Sequence, residues 1–441
     1  MKMYLISGIV LVAPLAGVLF GVELSGEVAP QDDEQQLPFA MHSKMEQLPR
    51  ITVGHQNAAL IGDDNQALQA AVDYIAGLGG GTVEIGPGEY LMRNSLHLRP
   101  HVTVRGTKGR TILRKADSSL SALALDGDFG EQQITVQDPS GFDVGCGVAV
   151  WDDRAGGFHT TVAQIIGRRG GTFAIDRPLM ADCMVHNHAQ AATVFPVVSG
   201  YDVRGVRVEN LIIEGNKQAN VHLNGCRGAG IFLYHGYGTT IRECRVHAYH
   251  GDGISFQQSN DVTVTDCESE NNTHLGIHPG SGSQRPVVKN CFARNNGTDG
   301  LFLCWRVRHG LFENNLLEGN GRFGISIGHK DSDNLLQMNH VRQNGKAGVF
   351  FRNETFGMAA HRNRLMGNVI ENNGADGAAA GIHIRGDTDR LIFESNTIRD
   401  TRQGAARTQT TGVLIEEQVR RITLRDNQID AVTPIDDRRE K

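Results

Sequence analysis

Proline is scarce in this chain of 441 residues, 12 against 54 glycines. Disordered low-complexity chains enrich both residues together, so that class is excluded. Many glycines with few prolines suit tight turns in an ordered β protein, because glycine takes positive φ at little cost. Aromatic residues are also few, at 6%. No long basic run occurs and the net charge is a mild −6, which argues against nucleic acid as a partner. Metal-type cysteine spacing is missing: Cys146, Cys183, Cys226 and Cys304 follow no ligand pattern. In an exported protein Cys146 is free to pair with Cys183, but seven cysteines leave an odd thiol and the connectivity is unreadable.

What is present begins with an apolar run from Met3 to about Val22, preceded by Lys2. Residues 1–25 resemble a secretory signal peptide, which implies a secreted or periplasmic protein. The run approaches the roughly 20 residues of a membrane span, so an uncleaved N-terminal anchor is the alternative. Residues 26–55 read as a polar linker.

A repeat then organises the chain. Glycine-led strings open at Gly230, Gly253, Gly276, Gly300, Gly324 and Gly348, at intervals of 23, 23, 24, 24 and 24 residues. Two longer intervals follow, to Gly381 and Gly412. Each unit carries a second strand-like run, such as "TIRECRV" or "VTVTDCESE", and then an asparagine-rich turn. Short β runs at this period without amphipathic helices predict a β-solenoid. Equivalent positions of successive coils then stack about 4.8 Å apart. Cys244, Cys267 and Cys291 fall into one such column and Asn315 continues it, so they predict a buried ladder of small thiols.

Upstream, Asp63 or Asp64 is placed to cap a helix running to about Leu78, with Leu68, Ala71, Val72 and Ile75 on one face. Strands TVEI, EYLM and HVTV follow. The head "DDNQALQAAVD…GGGTVEIGPGEYL…VTVRG" resembles the start of the pectate-lyase-like superfamily, including its rhamnogalacturonase- and epimerase-like domains. The resemblance covers residues 60 to 115 closely, and the later coils only as architecture. It implies an all-β, right-handed parallel β-helix with an N-terminal capping helix, and a polysaccharide substrate. The expected boundaries are 56–130 for the cap and first coils, 131–198 for a small β insertion packed beside the helix, and 199–441 for the main coils. Within the insertion "WDDR" at 151–154 reads as a turn.

Strand alternation sends the first and third residues after each glycine inward and the second and fourth outward. The outward column and its following turns contain Tyr234, His235, His278, Phe302, Trp305, Arg306, Phe350, His383, Arg385 and Asp387. Exposed aromatics among converging polar groups suit sugar rings, so these ten are the candidate substrate-binding residues. The turn "GHKDSDN" adds His329, Lys330 and Asp331, and the next coil adds Arg352 and Glu354; these five are the candidate catalytic residues. Gly328 is expected to leave open space on the face.

Two chemistries compete. β-Elimination at a uronic acid needs a base for the C5 proton and a cation near the carboxylate. Lys330, His329 or Arg352 is the candidate base, with Arg306, Arg352 and Arg385 as clamps. C5 epimerisation can use the same parts. Hydrolysis would use paired carboxylates, Asp331 with Glu354 or with Asp387, as in polygalacturonases, although that family's acidic motifs are not reproduced here. A calcium site is conceivable at Asp331, Asp333, Asp387 and Asp389, without calcium-loop spacing. A non-catalytic glycan-binding module is the remaining class. The reading favoured is an exported polysaccharide lyase acting on an acidic polysaccharide.

Overall fold

The computed structural model describes residues 47 to 440. The apolar N-terminal run and most of the expected linker lie outside these residues. The described strands form three long parallel sheets and one six-stranded antiparallel sheet. Sheet I has thirteen strands, from Leu60–Ile61 and Arg50–Gly54 to Ile422–Arg425; sheet II has eleven, from Gly88–Met92 to Gln428–Asp430; sheet III has eleven, from Leu96–His97 to Thr433–Asp437. Each coil contributes one strand to each sheet. Ala229–Tyr234, Thr240–Arg242 and Arg245–His247 make one coil, and each pairs in parallel with its counterpart in the next. This is a parallel β-helix.

The solenoid starts earlier than composition suggests. Arg50–Gly54 pairs with Gly81–Ile85 and buries Val53, so the first strand lies inside the segment expected to be a linker. The single α-helix described, Asn65–Gly77, buries Leu68, Ala71, Val72 and Ile75. Asp64 caps it by accepting hydrogen bonds from the backbone N–H groups of Gln66 and Ala67. Gly79, Gly80 and Gly81 all take positive φ and turn the chain straight into sheet I.

The inward residues form one continuous core. Ile325, Ile327, Leu301, Leu303, Val349 and Phe351 are all buried in it. Burying one such aliphatic or aromatic side chain stabilises by roughly 1.5–3 kcal/mol.

The corners are held by side-chain ladders. Cys244, Cys267 and Cys291 stack as buried free thiols. Asn315, Asn339, Asn368, Asn396 and Asn427 continue their column. Each asparagine Oδ1 accepts both the backbone N–H and the side-chain N–H of the one before it, as Asn339 does for Asn315. A second ladder runs through Asn272, Asn296, Asn320, Asn344 and Asn373 to Gln409. The residue before each rung of the first ladder, such as Asn314 or Met338, takes positive φ, which makes the corner tight.

The antiparallel sheet begins at Leu120–Ala122, before the expected boundary, because that strand pairs with Gln190–Ala192. Its own core includes Cys146 and Cys183, both free thiols. A smaller apolar cluster joins Ala149, Ala192 and Val194 to Leu223 of the main helix. The insertion therefore packs on the coil segment beside sheet III. Arg177 lies over the Tyr201 ring at 3.8 Å, and Arg227 donates to the Phe158 carbonyl at 2.6 Å. "WDDR" is a turn: the buried Asp152 carboxylate accepts from the N–H groups of Arg154, Ala155 and Met184.

Candidate active site

The outward face of sheet III is a shallow groove with two rims. Its floor runs coil by coil through Phe232, Ser255, His278, Phe302, Ser326, Phe350 and His383, in register. The phenyl ring of Phe302 packs between His278, at 5.3 Å, and the guanidinium of Arg352, at 4.5 Å.

The rim after the strands carries most of the residues selected from sequence. Trp305 stacks on His329 with ring centroids 5.3 Å apart. His329 Nε2 lies 2.8 Å from Glu354 Oε1, while its Nδ1 is buried without a partner. Burial, reinforced by Arg352, pushes His329 down to about 4, and burial pushes Glu354 up. The pair therefore presents no free basic nitrogen to the groove; it props the indole. Trp305, Arg306, His329 and Lys330 all take positive φ, two consecutive residues in each of two coils. Such backbone costs on the order of 1–3 kcal/mol per residue and concentrates at functional sites.

Asp331 and Arg352 form a buried ion pair at 3.0 Å. Asp331 is fully buried and also accepts from the N–H groups of Val307 and Gly328. Burial pushes its carboxyl up to about 7, against Arg352 and those N–H groups. Arg352 donates further to Ser326 Oγ and the Leu303 carbonyl. It also fills the space above Gly328: a Cβ there would meet Arg352 Nε at 2.5 Å. Gly328 is thus room for an arginine, not an open hole.

The remaining selected residues divide between the two ends. The Tyr234 ring packs at a tilt against His235, centroids 4.0 Å apart, and His235 is held by Asp202 and Gln258. At the other end His383 and Arg385 both face Glu416, at 2.8 and 3.3 Å. Asp387 pairs with Arg420, Asp333 with Arg362 and Asp389 with Arg421, so the four carboxylates named for calcium each face an arginine instead of one another.

The other rim precedes the strands, and sequence reasoning missed it. Asp252 is fully buried. Its Oδ1 lies 3.0 Å from His274 Nδ1 and accepts from the Leu275 N–H; its Oδ2 lies 2.7 Å from His278 Nδ1. An ionised carboxylate only accepts, so both imidazoles donate through Nδ1. Burial works to raise the Asp252 carboxyl, but the bonds from His274 and His278 outweigh it and hold it below the usual carboxylate range. The bond to Asp252 raises His274, against burial. His274 is 41% exposed, and its Nε2 has no hydrogen bond among the described residues. The His222 ring stands 6.0 Å from that of His274 and 5.5 Å from that of His250.

Along the same rim lie Arg322, 3.7 Å from the buried Asp299, and then Lys346. Facing them across the floor are Arg306 and Lys330. Among the described residues Arg306, Lys330 and Lys346 carry no ion pair. Both rims are cationic, with aromatic rings between them.

Residues 197–365 match the family model described as a right handed beta helix region. No curated protein matches the chain by sequence. Among solved structures, the A-module of the mannuronan C-5 epimerase AlgE6 of Azotobacter vinelandii superposes with a TM-score of 0.58 at 18% identity, covering 88% of this chain and 95% of that one. The A-module of AlgE4 from the same organism gives 0.56 at 17%, covering 87% and 97%. A polygalacturonase from Erwinia carotovora ssp. carotovora gives 0.56 at 12%, covering 89% and 96%. At these identities the likeness is one of fold.

Proposed function

We propose that this right-handed parallel β-helix is a carbohydrate-active enzyme that binds an acidic polysaccharide along sheet III and removes the C5 proton of a uronic acid residue. The observation that carries the reading is the part-exposed His274 imidazole, held through Nδ1 by the buried Asp252 carboxylate and without a hydrogen bond at Nε2 among the described residues. A base oriented by a buried carboxylate is the arrangement that proton abstraction needs. The solved structures of similar fold include enzymes named for mannuronan and polygalacturonic chains, which supports a polysaccharide substrate.

In this reading the uronate carboxylate lies against Arg322, with Lys330 and Arg306 across the groove, and Trp305 supports a sugar face. His274 Nε2 takes the C5 proton. In β-elimination the electron pair left on C5 forms the C4–C5 double bond, the C4–O bond breaks, and the leaving oxygen takes a proton from solvent, to which the His274 imidazolium returns the one it removed. Return of a proton to the opposite face of C5 would instead give the epimer. Both begin with the same step, and the lyase outcome is the one proposed. Two-carboxylate hydrolysis has weaker support, because Asp331 is sealed under Arg352 and Glu354 is engaged by His329.

The test is incubation with a panel of uronate polysaccharides. An unsaturated uronide, seen by its ultraviolet absorbance, supports elimination. New reducing ends without that absorbance refute it, and binding with neither product identifies a glycan-binding module.

A further inference from the structure

Part of the long interval between Gly348 and Gly381 lengthens the turn before strand Ala380–Ile384 into a loop, Gly374 to Ala379. The loop is pinned by backbone bonds: Gly374 N–H to the carbonyls of Asn344 and Lys346, Asp376 N–H to Gly345, and Ala379 N–H to Thr408. It walls a cavity of about 440 Å³ at the far end of the groove.

The chemistry of this cavity differs from the rest of the groove. Its floor is the parallel stack of Phe323 and Phe350, 4.2 Å apart at 10°. Its sides are the methyl groups of Ala347, Ala378, Ala379 and Ala380. Lys346, Asp376, His383 and Arg385 complete the lining, three of them cationic or basic. The alanine methyls and the phenyl faces themselves offer a sugar hydroxyl no partner. A methyl group loses nothing there and gains by burial. Lys346, His383 and Arg385 match an acidic chain, and the cavity is continuous with the groove floor through Phe350.

We propose that this cavity is a subsite for a methyl-bearing sugar of the acidic polysaccharide, carrying either an O-acetyl group or a 6-deoxy carbon. The subsite rests on the reading of the groove as a uronate site and specifies which decorated chains it prefers. Ala378 is exposed on the loop, so Ala378→Asp places a carboxylate in the cavity without disturbing the core.

The experiment is calorimetric titration of wild type and Ala378→Asp with three probes of equal length. These are O-acetylated uronate oligosaccharides, the same sample after mild alkaline deacetylation, and uronate oligosaccharides containing a 6-deoxyhexose. Wild type is expected to bind at least one methyl-bearing probe about tenfold tighter than the deacetylated one. Ala378→Asp is expected to weaken every acidic probe by repulsion and the methyl-bearing ones most, so that the preference is lost; which probe wild type prefers names the source of the methyl group. Equal affinity of wild type for all three, or a preference that survives Ala378→Asp, overturns the subsite and spares the groove assignment. No binding of any probe overturns both.

Discussion

His274 Nδ1 lies 3.0 Å from one oxygen of Asp252 and His278 Nδ1 lies 2.7 Å from the other, so one buried carboxylate orients two imidazoles. His278 is buried against Phe302 and fixes the carboxylate; His274 is part-exposed. His274→Ala is expected to lower turnover by a factor on the order of 10²–10⁴, the usual contribution of a general base. The thermal midpoint should fall modestly, because the buried Asp252 carboxylate loses one of its hydrogen bonds but keeps those from His278 and the Leu275 N–H. Steady-state rates and a melting curve on the same preparation check both.

The dyad also sets a pH dependence. His274 acts as a base only when neutral, and Asp252 raises its pKa above the ordinary 6.5, so activity should climb with pH through that raised value. Asp252→Asn removes the anion, lowers the His274 pKa and should shift the acid limb of the rate profile to lower pH. Stability follows two signs. The contribution from His274 is full below pH 6.5 and is lost as pH rises through the folded pKa. The contribution from Asp252, whose pKa is depressed from 3.8, is present above that value and is lost as pH falls through the folded pKa. Denaturant melts across pH test these signs.

Arg352 and Lys330 were selected together from sequence, and the structure separates them. Arg352→Ala leaves the buried Asp331 charge without its partner, a change worth about 3–5 kcal/mol of stability. Lys330→Ala removes a side chain on the rim that has no ion pair and should leave stability within about 0.5 kcal/mol while weakening substrate binding. Equilibrium unfolding of the two variants distinguishes them.

The asparagine ladder should be the most sensitive structural column. Asn339→Ala orphans the Asn315 N–H, one Asn315 side-chain N–H and the Phe312 carbonyl, all buried. At about 1–3 kcal/mol for a buried unsatisfied group, the loss should reach about 3 kcal/mol in a denaturant titration.

Much of this architecture is legible in the sequence because a solenoid prints its period there. The glycine-led strings locate the strands of sheet III from residue 229 to residue 415, though not the last, Thr433–Asp437, and Leu68, Ala71, Val72 and Ile75 mark the face of the cap helix. The cysteine column and its asparagine continuation also follow from spacing alone. The dyad escapes the same alignment because it lies before the glycines, where no strand pattern draws the eye. Asp252 immediately precedes Gly253, and His274 stands two residues before Gly276. A signal does exist: the position before each glycine from Gly253 to Gly348 reads Asp252, Leu275, Asp299, Phe323, Ala347, so two acids occupy a stretch of column otherwise apolar and buried. Side-chain direction is the other limit. Alternation places Arg352 on the outer face, but only packing shows that it lies flat over Gly328 and closes onto Asp331.

Proton exchange at C5 tests the central claim most directly. The wild-type protein and His274→Ala are incubated with a uronate polysaccharide in deuterated water and the sugar is followed by nuclear magnetic resonance. The account predicts loss of the C5 proton from wild-type reactions, as an unsaturated uronide or as deuterium incorporated at C5, and neither with His274→Ala. Chain cleavage with the C5 proton fully retained, or C5 exchange undiminished in His274→Ala, would contradict it.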